Sequence, residues 1–179
     1  MMSKYVQRAM QHNEKIVYVA QLHWVIYSFG IGVTLLGAFM GFFLPMIVSN
    51  YIPESSVSYF LTPIRYLSVG FILLGAFQLL AAFIRQISTE LVITDQRVIA
   101  KHGFISTTSY ELMMMKVEGA TIDQTIPGRI LGYGTLMVKG TGGGISPINH
   151  VAKPFLFHSF LMNALQAAQE KANGSNNND

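Results

Sequence analysis

Two long apolar runs dominate the hydrophobic pattern of the chain, Val25 to Val48 and Tyr66 to Ile84. Neither run contains a charged residue, and Arg65 and Arg85 flank the second one. A helix crosses a hydrocarbon core of about 30 Å with roughly 20 apolar residues, so each run is long enough to span a membrane. The pattern therefore predicts two transmembrane helices, at about 25–48 and 66–84, joined by a short polar loop at 49–63.

Basic residues are distributed unequally around this helical hairpin, which occupies residues 24–85. Lys4, Arg8 and Lys15 precede it and further bases follow from Arg85, whereas the loop contains no Lys or Arg. Because these residues are retained on the cytoplasmic side of a membrane, we expect both termini in the cytoplasm and the loop outside. The polar lead is long and no A-x-A site follows the first run, which indicates an uncleaved span rather than a signal peptide.

Residues 1–23 form an N-terminal segment on the same cytoplasmic side. Ile16 to Val19 are β-branched or aromatic, which favours an extended conformation. Two alternatives stay open for the stretch from Glu14 to Leu22. It adds a strand to the domain that follows the hairpin, or it continues as helix into the first span.

Glycines recur inside both apolar runs. Gly37 and Gly41 form a G-x-x-x-G pattern in the first run, and Gly70 and Gly75 lie in the second. Small residues at such spacing let two helix backbones approach closely in a membrane. Gly37 and Gly41 therefore pack against the glycines of the second span in the same chain, or they form a dimer contact between two chains.

From residue 86 the pattern changes to short β-prone runs separated by turn signals, which predict antiparallel strands. Pro154 then opens an amphipathic helix, at a position where its missing N–H costs nothing. Strands followed by one such helix predict a bent sheet or partial β-barrel that the helix plugs, over residues 86–172. The asparagine-rich tail at 173–179 is expected to be disordered. A short helical turn is predicted at Gly128–Leu131. The long helix is expected to present Phe157, Leu161, Leu165 and Ala168 on one face. The predicted strands are Glu90–Thr94, Arg97–Lys101, Thr107–Leu112, Lys116–Gln124, Gly134–Gly140 and Ile145–Val151.

Several short stretches together carry a family resemblance: Glu90–Gly103, Lys116–Glu118, Arg129–Thr135 with Gly140–Gly143, Pro154–Phe157 and, upstream, Glu14–Tyr18 and Leu22–Trp24. They resemble the bacterial membrane-flanked pleckstrin-homology-like family, a bacterial PH domain family of largely undefined function. The resemblance implies two near-orthogonal sheets closed by a C-terminal helix and held at the bacterial inner (cytoplasmic) membrane. His158 departs from the family pattern, because a basic residue such as arginine is expected there. The predicted fold class is membrane α + β, a two-helix transmembrane hairpin plus a pleckstrin-homology-like partial β-barrel with a C-terminal helix.

The composition of the chain restricts the classes of partner and of chemistry that we expect. Charged residues make up 12% of the chain, against about 25% in soluble domains. The net charge is +3 without any run of five Lys and Arg, so we expect no nucleic-acid partner. Cysteine is absent, which excludes disulfides, thiolate metal sites and cysteine nucleophiles.

No stretch carries a recognised catalytic or metal-binding pattern. Ile145-Ser-Pro follows Gly140–Gly144 where a phosphate-binding loop needs Lys and a helix, so this stretch is interpreted as a hairpin turn. The five histidines form no H-x-x-x-H pair, and G-x-S-x-G does not occur. We therefore expect a non-enzymatic protein with no catalytic residue, metal or cofactor.

Two groups of side chains in residues 86–172 are candidates for contact with the membrane surface or a partner. The first is basic, and each base near an anionic surface contributes about 1 kcal/mol, although ordinary cytoplasmic positive bias explains the same residues. The second is a run of three methionines, which fills the core, touches lipid or forms an adaptable binding surface. The basic candidates are Arg97, Lys101, Arg129, Lys139 and Lys153, and the methionines are Met113, Met114 and Met115.

Three functions follow from these patterns. The favoured one is a non-enzymatic inner-membrane protein whose cytoplasmic domain binds a protein partner or assembles with itself at the membrane surface. The second is a sensor of anionic lipid head groups. The third is a subunit of a transporter or enzyme complex, and the absence of charge within either apolar run argues against it.

Overall fold

The computed structural model describes residues 14–51, 53–103 and 108–176. The chain divides into two compact units. One unit is Trp24–Ile84, and the other combines Met1–His23 with Arg85–Asp179. The segment that precedes the apolar runs therefore belongs with the β-rich region that follows them.

The first unit is helical. A 3-10 turn at Trp24–Tyr27 leads into α1, Ser28–Val48, and α2 follows at Glu54–Ser88. The predicted loop at 49–63 is therefore wrong from residue 54 onward, because the second helix begins well before Tyr66. Pro63 lies inside α2, and a helix in apolar surroundings accommodates a proline when neighbouring groups satisfy the freed carbonyls.

The second unit contains two antiparallel sheets and two helices. The first sheet has the strand order β1-β2-β3-β4 and the second has β5-β6-β7. The longer helix follows the last strand, so the predicted PH-like arrangement of β-sheet and C-terminal helix is confirmed. The strands are β1 Ile16–Ala20, β2 Glu90–Thr94, β3 Arg97–His102, β4 Thr108–Met113, β5 Val117–Asp123, β6 Tyr133–Gly140 and β7 Gly143–Ala152, and the helices are α3 Ile126–Leu131 and α4 Pro154–Asn176.

Strand β1 resolves the alternatives for the stretch before the hairpin. It pairs with β2 in antiparallel register, with Tyr18 opposite Ile93 and Ala20 opposite Leu91. Glu14, just before β1, is buried as well. Ile16–Ala20 is thus an integral strand of the β domain, and the helical alternative is wrong for these residues.

The residues after β1 join the two sheets at one corner. Leu22 forms an isolated antiparallel bridge with Val151 of β7, and the backbone N–H of His23 donates to the carbonyl of His150 at 2.7 Å. His150 has a φ of 59° at a point where the β6–β7 register shifts, which marks a β-bulge in an edge strand. The bulge lets β7 bend toward the N-terminal segment while it stays paired with β6.

Helix α4 covers the core between the sheets. Phe157 and Leu161 have no exposed surface, and they lie on the same face as the buried Ala164. The predicted apolar face is therefore buried at Phe157 and Leu161 and half-buried at Leu165 and Ala168, and α4 packs against β1, β2, β5, β6 and the 3-10 turn at Met114–Lys116. The helix continues to Asn176, four residues into the tail for which the composition predicts disorder, and residues 177–179 lie outside the described residues.

The glycine-rich turn is shorter than the sequence suggests. Strand β7 begins at Gly143, so the turn after β6 consists of Thr141 and Gly142. Gly142 has a φ of +83°, a conformation that glycine adopts without strain. Residues 140–144 therefore belong to a β-hairpin, as predicted, but only Thr141 and Gly142 form its turn.

Candidate functional site

The two ends of the β domain differ in chain connectivity. The chain leaves β1 through Gln21–His23 and returns through the last turn of α2 into β2. Because β1 and β2 are antiparallel neighbours, with Ala20 opposite Leu91, both connections leave the domain at one end. We call this the connecting end. The opposite end, where Ile16 pairs with Thr94, is the far end.

Helix α3 and the start of α4 lie at the connecting end. The ring of Tyr133, at the start of β6, is 5.4 Å from the imidazole of His23 and 5.7 Å from that of His150. The backbone N–H of Lys153 donates to the carbonyl of Gly132 at 2.9 Å, so the residues between α3 and β6 contact the residues between β7 and α4. These contacts place α3 beside the last residue before the hairpin.

Local sequence explains why α3 forms and stops. The Thr125 hydroxyl accepts a hydrogen bond from the N–H of Gly128 as the N-cap, and Gly132 ends the helix in the left-handed conformation with φ +80°. A Cβ at Gly128 would lie 2.7 Å from the carbonyl oxygen of Tyr133, so glycine is required for this approach. The short helix is therefore held tightly against β6.

Helix α3 and the first turn of α4 expose large apolar side chains. Ile126 and Ile130, four residues apart on one helix face, are 77% and 79% exposed, and Phe155 is 64% exposed. Such side chains at one end of a domain mark an interaction surface when they are contiguous. We call this surface the apolar patch, and its residues are Ile126, Ile130, Leu131, Phe155 and Leu156.

Basic side chains accompany the apolar patch. Arg129 and Lys153 are exposed, and Lys101 stands opposite Glu90 in the β2–β3 pair at the same end. Among the described residues, no carboxylate lies within ion-pair distance of Arg129 or Lys153. Three of the five predicted basic candidates thus belong to the connecting end. This end also has an exposed acidic residue, Asp123, at the end of β5.

A groove of about 370 Å³ runs beside the patch, lined by Ile122, Gln124, Arg129 and Phe155. The Gln124 amide donates to the Tyr133 carbonyl at 2.8 Å, so this polar group serves the fold. Arg129 is the charged group that the groove offers, and its guanidinium is suited to a phosphate or carboxylate oxygen.

The imidazole of His150 is half-buried at the connecting end. Burial lowers the pKa of His150 below its ordinary value, and electrostatic repulsion from Arg85 and from His23 lowers it further. His150 is therefore neutral at physiological pH, and protonation would add a charge beside other positive groups.

The far end carries an ion-pair network around the buried carboxylate of Glu14. Arg97 Nε and Nη2 donate to the two carboxylate oxygens of Glu14 at 2.9 and 2.7 Å, and Arg97 Nη1 donates to Glu111 at 2.7 Å. The Glu14 side chain has no exposed surface, and the Thr94 hydroxyl donates to it at 2.7 Å. The hydrogen bond with Glu14 raises the pKa of Arg97 above its ordinary value.

Two of the basic candidates do not join the connecting end. Arg97 is engaged by two carboxylates and holds the N-terminal segment in the domain, so its guanidinium is already satisfied within the fold. Lys139 is exposed near the end of β6, opposite Gly144, and belongs to the far end. The sequence pattern could not separate these residues from Lys101, Arg129 and Lys153, because their separation depends on strand register.

The three methionines divide between the core and the surface of the far end. Met114 is 2% exposed, whereas Met113 and Met115 are 65% and 67% exposed. The Met114 N–H donates to the carbonyl of Gln96 at 2.7 Å, which fixes the 3-10 turn that separates the flanking side chains. Met114 therefore fills the core, whereas contact of the exposed Met113 and Met115 with lipid or a partner stays a prediction.

Strand β4 next to Met113 is an edge strand. It pairs with β3 on one side, and all its residues except Leu112 are exposed. A groove of about 330 Å³ runs along Tyr110–Met113 and the β6–β7 turn, and a smaller cavity of about 120 Å³ separates Tyr110 from β7. The phenol of Tyr110 accepts a hydrogen bond from the Ser146 hydroxyl at 3.3 Å across this gap. Edge strands present unpaired backbone groups to potential partners.

The glycines of the helical unit lie mostly at the contact between α1 and α2. A Cβ at Gly37 would lie 2.9 Å from the backbone nitrogen of Ile72, and one at Gly75 would lie 2.8 Å from that of Thr34. Gly41 contacts the Ser68 hydroxyl, whereas nothing lies within 4 Å of a Cβ at Gly70. Gly37, Gly41 and Gly75 thus pack within one chain, and Gly70 has no part in this contact.

Polar side chains complete the helix contact, and the sequence pattern did not identify them. Ser68 is 4% exposed, and its hydroxyl donates to the carbonyl of Gly37 at 2.8 Å. Thr34 Oγ1 donates to the carbonyl of Gly30 at 2.8 Å. We call this contact between α1 and α2 the seam, and on α1 it consists of Gly30, Thr34, Gly37 and Gly41. A sequence search for small residues that counted Thr and Ser as well as Gly would have identified it.

Metal ligands do not converge in the described part of the chain, where no three His, Asp or Glu side chains are placed to hold an ion. Helices α1 and α2 each contain a stretch long and apolar enough to cross a membrane by length and composition.

Comparison with known proteins gives one match. The model of the family described as Bacterial PH domain matches residues 22–156, about three-quarters of the chain. Neither the search of curated proteins nor that of solved structures returned a match. The matched range contains both apolar helices, strands β2 to β7 and the start of α4, and so includes most of the stretches on which the sequence resemblance rests, although Glu14–Tyr18 precedes it. The chain belongs to the bacterial PH domain family.

Proposed function

We propose that this chain is an integral protein of the bacterial cytoplasmic membrane whose PH domain is a non-enzymatic module for binding a protein partner. In this proposal α1 and α2 span the bilayer, both termini are cytoplasmic, and the connecting end of the PH domain is next to the membrane. The far end then points into the cytoplasm, where a soluble or membrane-bound protein can reach it.

The exposure of the apolar helices supports the membrane anchor. Only 6% of the apolar stretch in Trp24–Val48 and 17% of that in Ser58–Ser88 is buried within the chain. A core helix of a soluble protein buries most of such a stretch, whereas a membrane-spanning helix presents it to lipid. The seam of small residues between α1 and α2 is also of the kind that joins helices in lipid.

The single observation that carries the binding role is the surface along β4 at the far end. Met113 and Met115 are exposed beside an edge strand and a groove of about 330 Å³. Methionine side chains adapt to varied apolar partners, and an edge strand accepts an extended segment by backbone hydrogen bonds. The buried ion pair of Glu14 and Arg97 holds the adjacent strands in place, so this surface is presented on a rigid support.

Site-specific photocrosslinking in membranes tests the binding role. A photoreactive residue in place of Met115 should form adducts with a protein that mass spectrometry then identifies, while the same residue in place of the exposed Gln169 on α4 should not. Adducts between two copies of this chain would assign the surface to self-assembly. Adducts with lipid alone at both positions would contradict the proposal.

A matched substitution strengthens this test. Met113→Glu together with Met115→Glu places charge on exposed side chains and leaves the core residue Met114 intact. We expect adduct formation from a photoreactive residue at Tyr110 to fall at least tenfold, because a charged group opposes an apolar contact. Gln169→Glu, which adds charge elsewhere on the surface, should leave the adduct yield unchanged.

A further inference from the structure

The apolar patch at the connecting end has no partner within the domain. Ile126 and Ile130 project from the same face of α3 and are more than three-quarters exposed. Phe155 and Leu156 extend the patch onto the first turn of α4. Gly128 holds α3 against β6 with no room for a Cβ, so the patch is presented by a closely packed helix rather than by a loop.

Chain connectivity places this patch on the side of the domain from which the hairpin departs. His23 precedes the first apolar helix, its N–H donates to the carbonyl of His150, and its ring contacts Tyr133. Tyr133 follows α3 directly, and Lys153 bonds Gly132 at the start of the same segment. If α1 and α2 span the bilayer, which the proposed function requires, these residues lie at the level of the lipid head groups.

The charge around the patch fits an anionic surface. Arg129 lies on α3 between the exposed isoleucines, and Lys153 immediately precedes α4. Among the described residues, both side chains lack an acidic partner within ion-pair distance. Apolar side chains flanked by Lys and Arg are typical of elements that lie in the membrane interface, where the apolar groups enter the acyl boundary and the bases meet phosphate.

We propose that the apolar patch docks the PH domain onto the anionic cytoplasmic face of the bilayer, with Ile126, Ile130 and Phe155 in the interface and Arg129 and Lys153 on lipid phosphates. The occupant is the lipid surface of the membrane that anchors the chain. A second protein chain fits less well, because a protein surface would have to be both apolar and anionic at the depth of the head groups.

The absence of cysteine makes the test direct in the full-length chain. In the variant Ile130→Cys, the new thiol is labelled with an environment-sensitive fluorophore. The labelled chain is then placed in nanodiscs of phosphatidylcholine with phosphatidylglycerol. Met115→Cys, at the far end, is the matched control, since the two native side chains are 79% and 67% exposed. Leu73→Cys, at an exposed position in α2, reports insertion of the hairpin.

Docking predicts opposite responses at the two domain positions. The fluorophore at residue 130 should be quenched by nitroxide-labelled lipid and protected from aqueous iodide, and the fluorophore at residue 115 should show the reverse. Arg129→Gln and Lys153→Gln should each lower the ratio of docked to undocked domain roughly fivefold, the equivalent of about 1 kcal/mol per base. Lys139→Gln at the far end should have no effect.

Each failure identifies a different error. Loss of lipid quenching at residue 73 would refute the membrane anchor and with it the proposed function. Lipid quenching at residue 73 together with full iodide access at residue 130 would overturn the docking while the anchor stands. Protection of residue 130 from iodide without lipid quenching would assign the patch to a protein and would also overturn it.

Discussion

The two ends of the PH domain are built from the same strands but expose different chemistry. The connecting end exposes isoleucines on α3, which a capping threonine and two glycines hold in place, a phenylalanine on α4, and the bases Arg129 and Lys153. The far end pairs its arginine with the buried Glu14 and the exposed Glu111, and it exposes methionines beside an edge strand. A count of basic residues treats these ends alike. The environment of each side chain separates a base that stabilises the fold from a base that is available to a ligand.

The largest effect is expected from breaking the far-end network. Glu14→Ala removes a fully buried carboxylate and leaves Arg97, whose side chain is 16% exposed, without its bidentate partner. We expect the free energy of unfolding to fall by roughly 3–5 kcal/mol, as for other buried pairs that lose one member. Hydrogen–deuterium exchange of the β1 and β2 amides measures this loss locally.

Glu111→Ala is the control for that substitution. Its carboxylate bonds the same guanidinium at 2.7 Å, but its side chain is 39% exposed. Solvent screens such a pair, so the expected loss is below about 1 kcal/mol. Equal losses for the two variants would show that Glu14 has no special part in anchoring the N-terminal strand.

A smaller effect is expected from disturbing the connecting end. Gly128→Ala introduces a Cβ that would lie 2.7 Å from the backbone oxygen of Tyr133, so α3 must shift away from β6. Overpacking of this kind costs roughly 1–3 kcal/mol. Faster amide exchange in α3 and at the start of β6, with β1 unaffected, is the expected result in neutral detergent.

Ile130→Ala separates the packing of α3 from its exposed surface. The isoleucine is 79% exposed, so its truncation should change stability in detergent by no more than about 0.5 kcal/mol. A loss as large as that of Gly128→Ala would mean that the isoleucine contributes to the fold, and the apolar patch would need another interpretation.

The smallest effect concerns pH at the connecting end. Because the pKa of His150 is lowered in the folded chain, the unfolded chain binds the proton more readily, and stability falls as the pH decreases below about 6.5. The fall ends once the pH is below the lowered pKa of the folded state. Thermal unfolding at about pH 7.5 and about pH 5.5 should reveal this component.

His150→Asn provides the matched variant for the pH measurement. Asparagine tolerates the positive φ of 59° at this position and carries no titratable group. The variant should therefore keep the β-bulge and show a weaker dependence on pH than the parent chain. An unchanged pH dependence would assign it to other groups.

Much of the fold followed from local pattern in the sequence. Strand β2 has the predicted bounds Glu90–Thr94, and the apolar face of α4 includes Phe157 and Leu161 as expected. These features depend on periodicity and on proline or glycine at element ends, which are local properties. The start of α2 at Glu54 was missed, because polar residues and Pro63 outweighed helix continuity in the pattern.

The candidate surfaces depended on information that local pattern does not contain. The pairing of Glu14 with Arg97 joins residues that are far apart in sequence, so only the β1–β2 register brings them together. The exposure of Ile126 and Ile130 was likewise hidden, because isoleucine at helical spacing usually indicates a buried face. The division of the three methionines required knowledge of the 3-10 turn at Met114–Lys116.

The bridge of Leu22 to Val151 has a consequence for binding strength at the bilayer. It leaves almost no free chain between the paired strands and the 3-10 turn at Trp24, and β2 starts two residues after α2 ends at Ser88. A domain tethered this closely has an effective concentration at the adjacent surface on the order of millimolar or above. In the proposed arrangement, a contact between the patch and lipid that would be negligible for a free domain is sufficient to set its orientation.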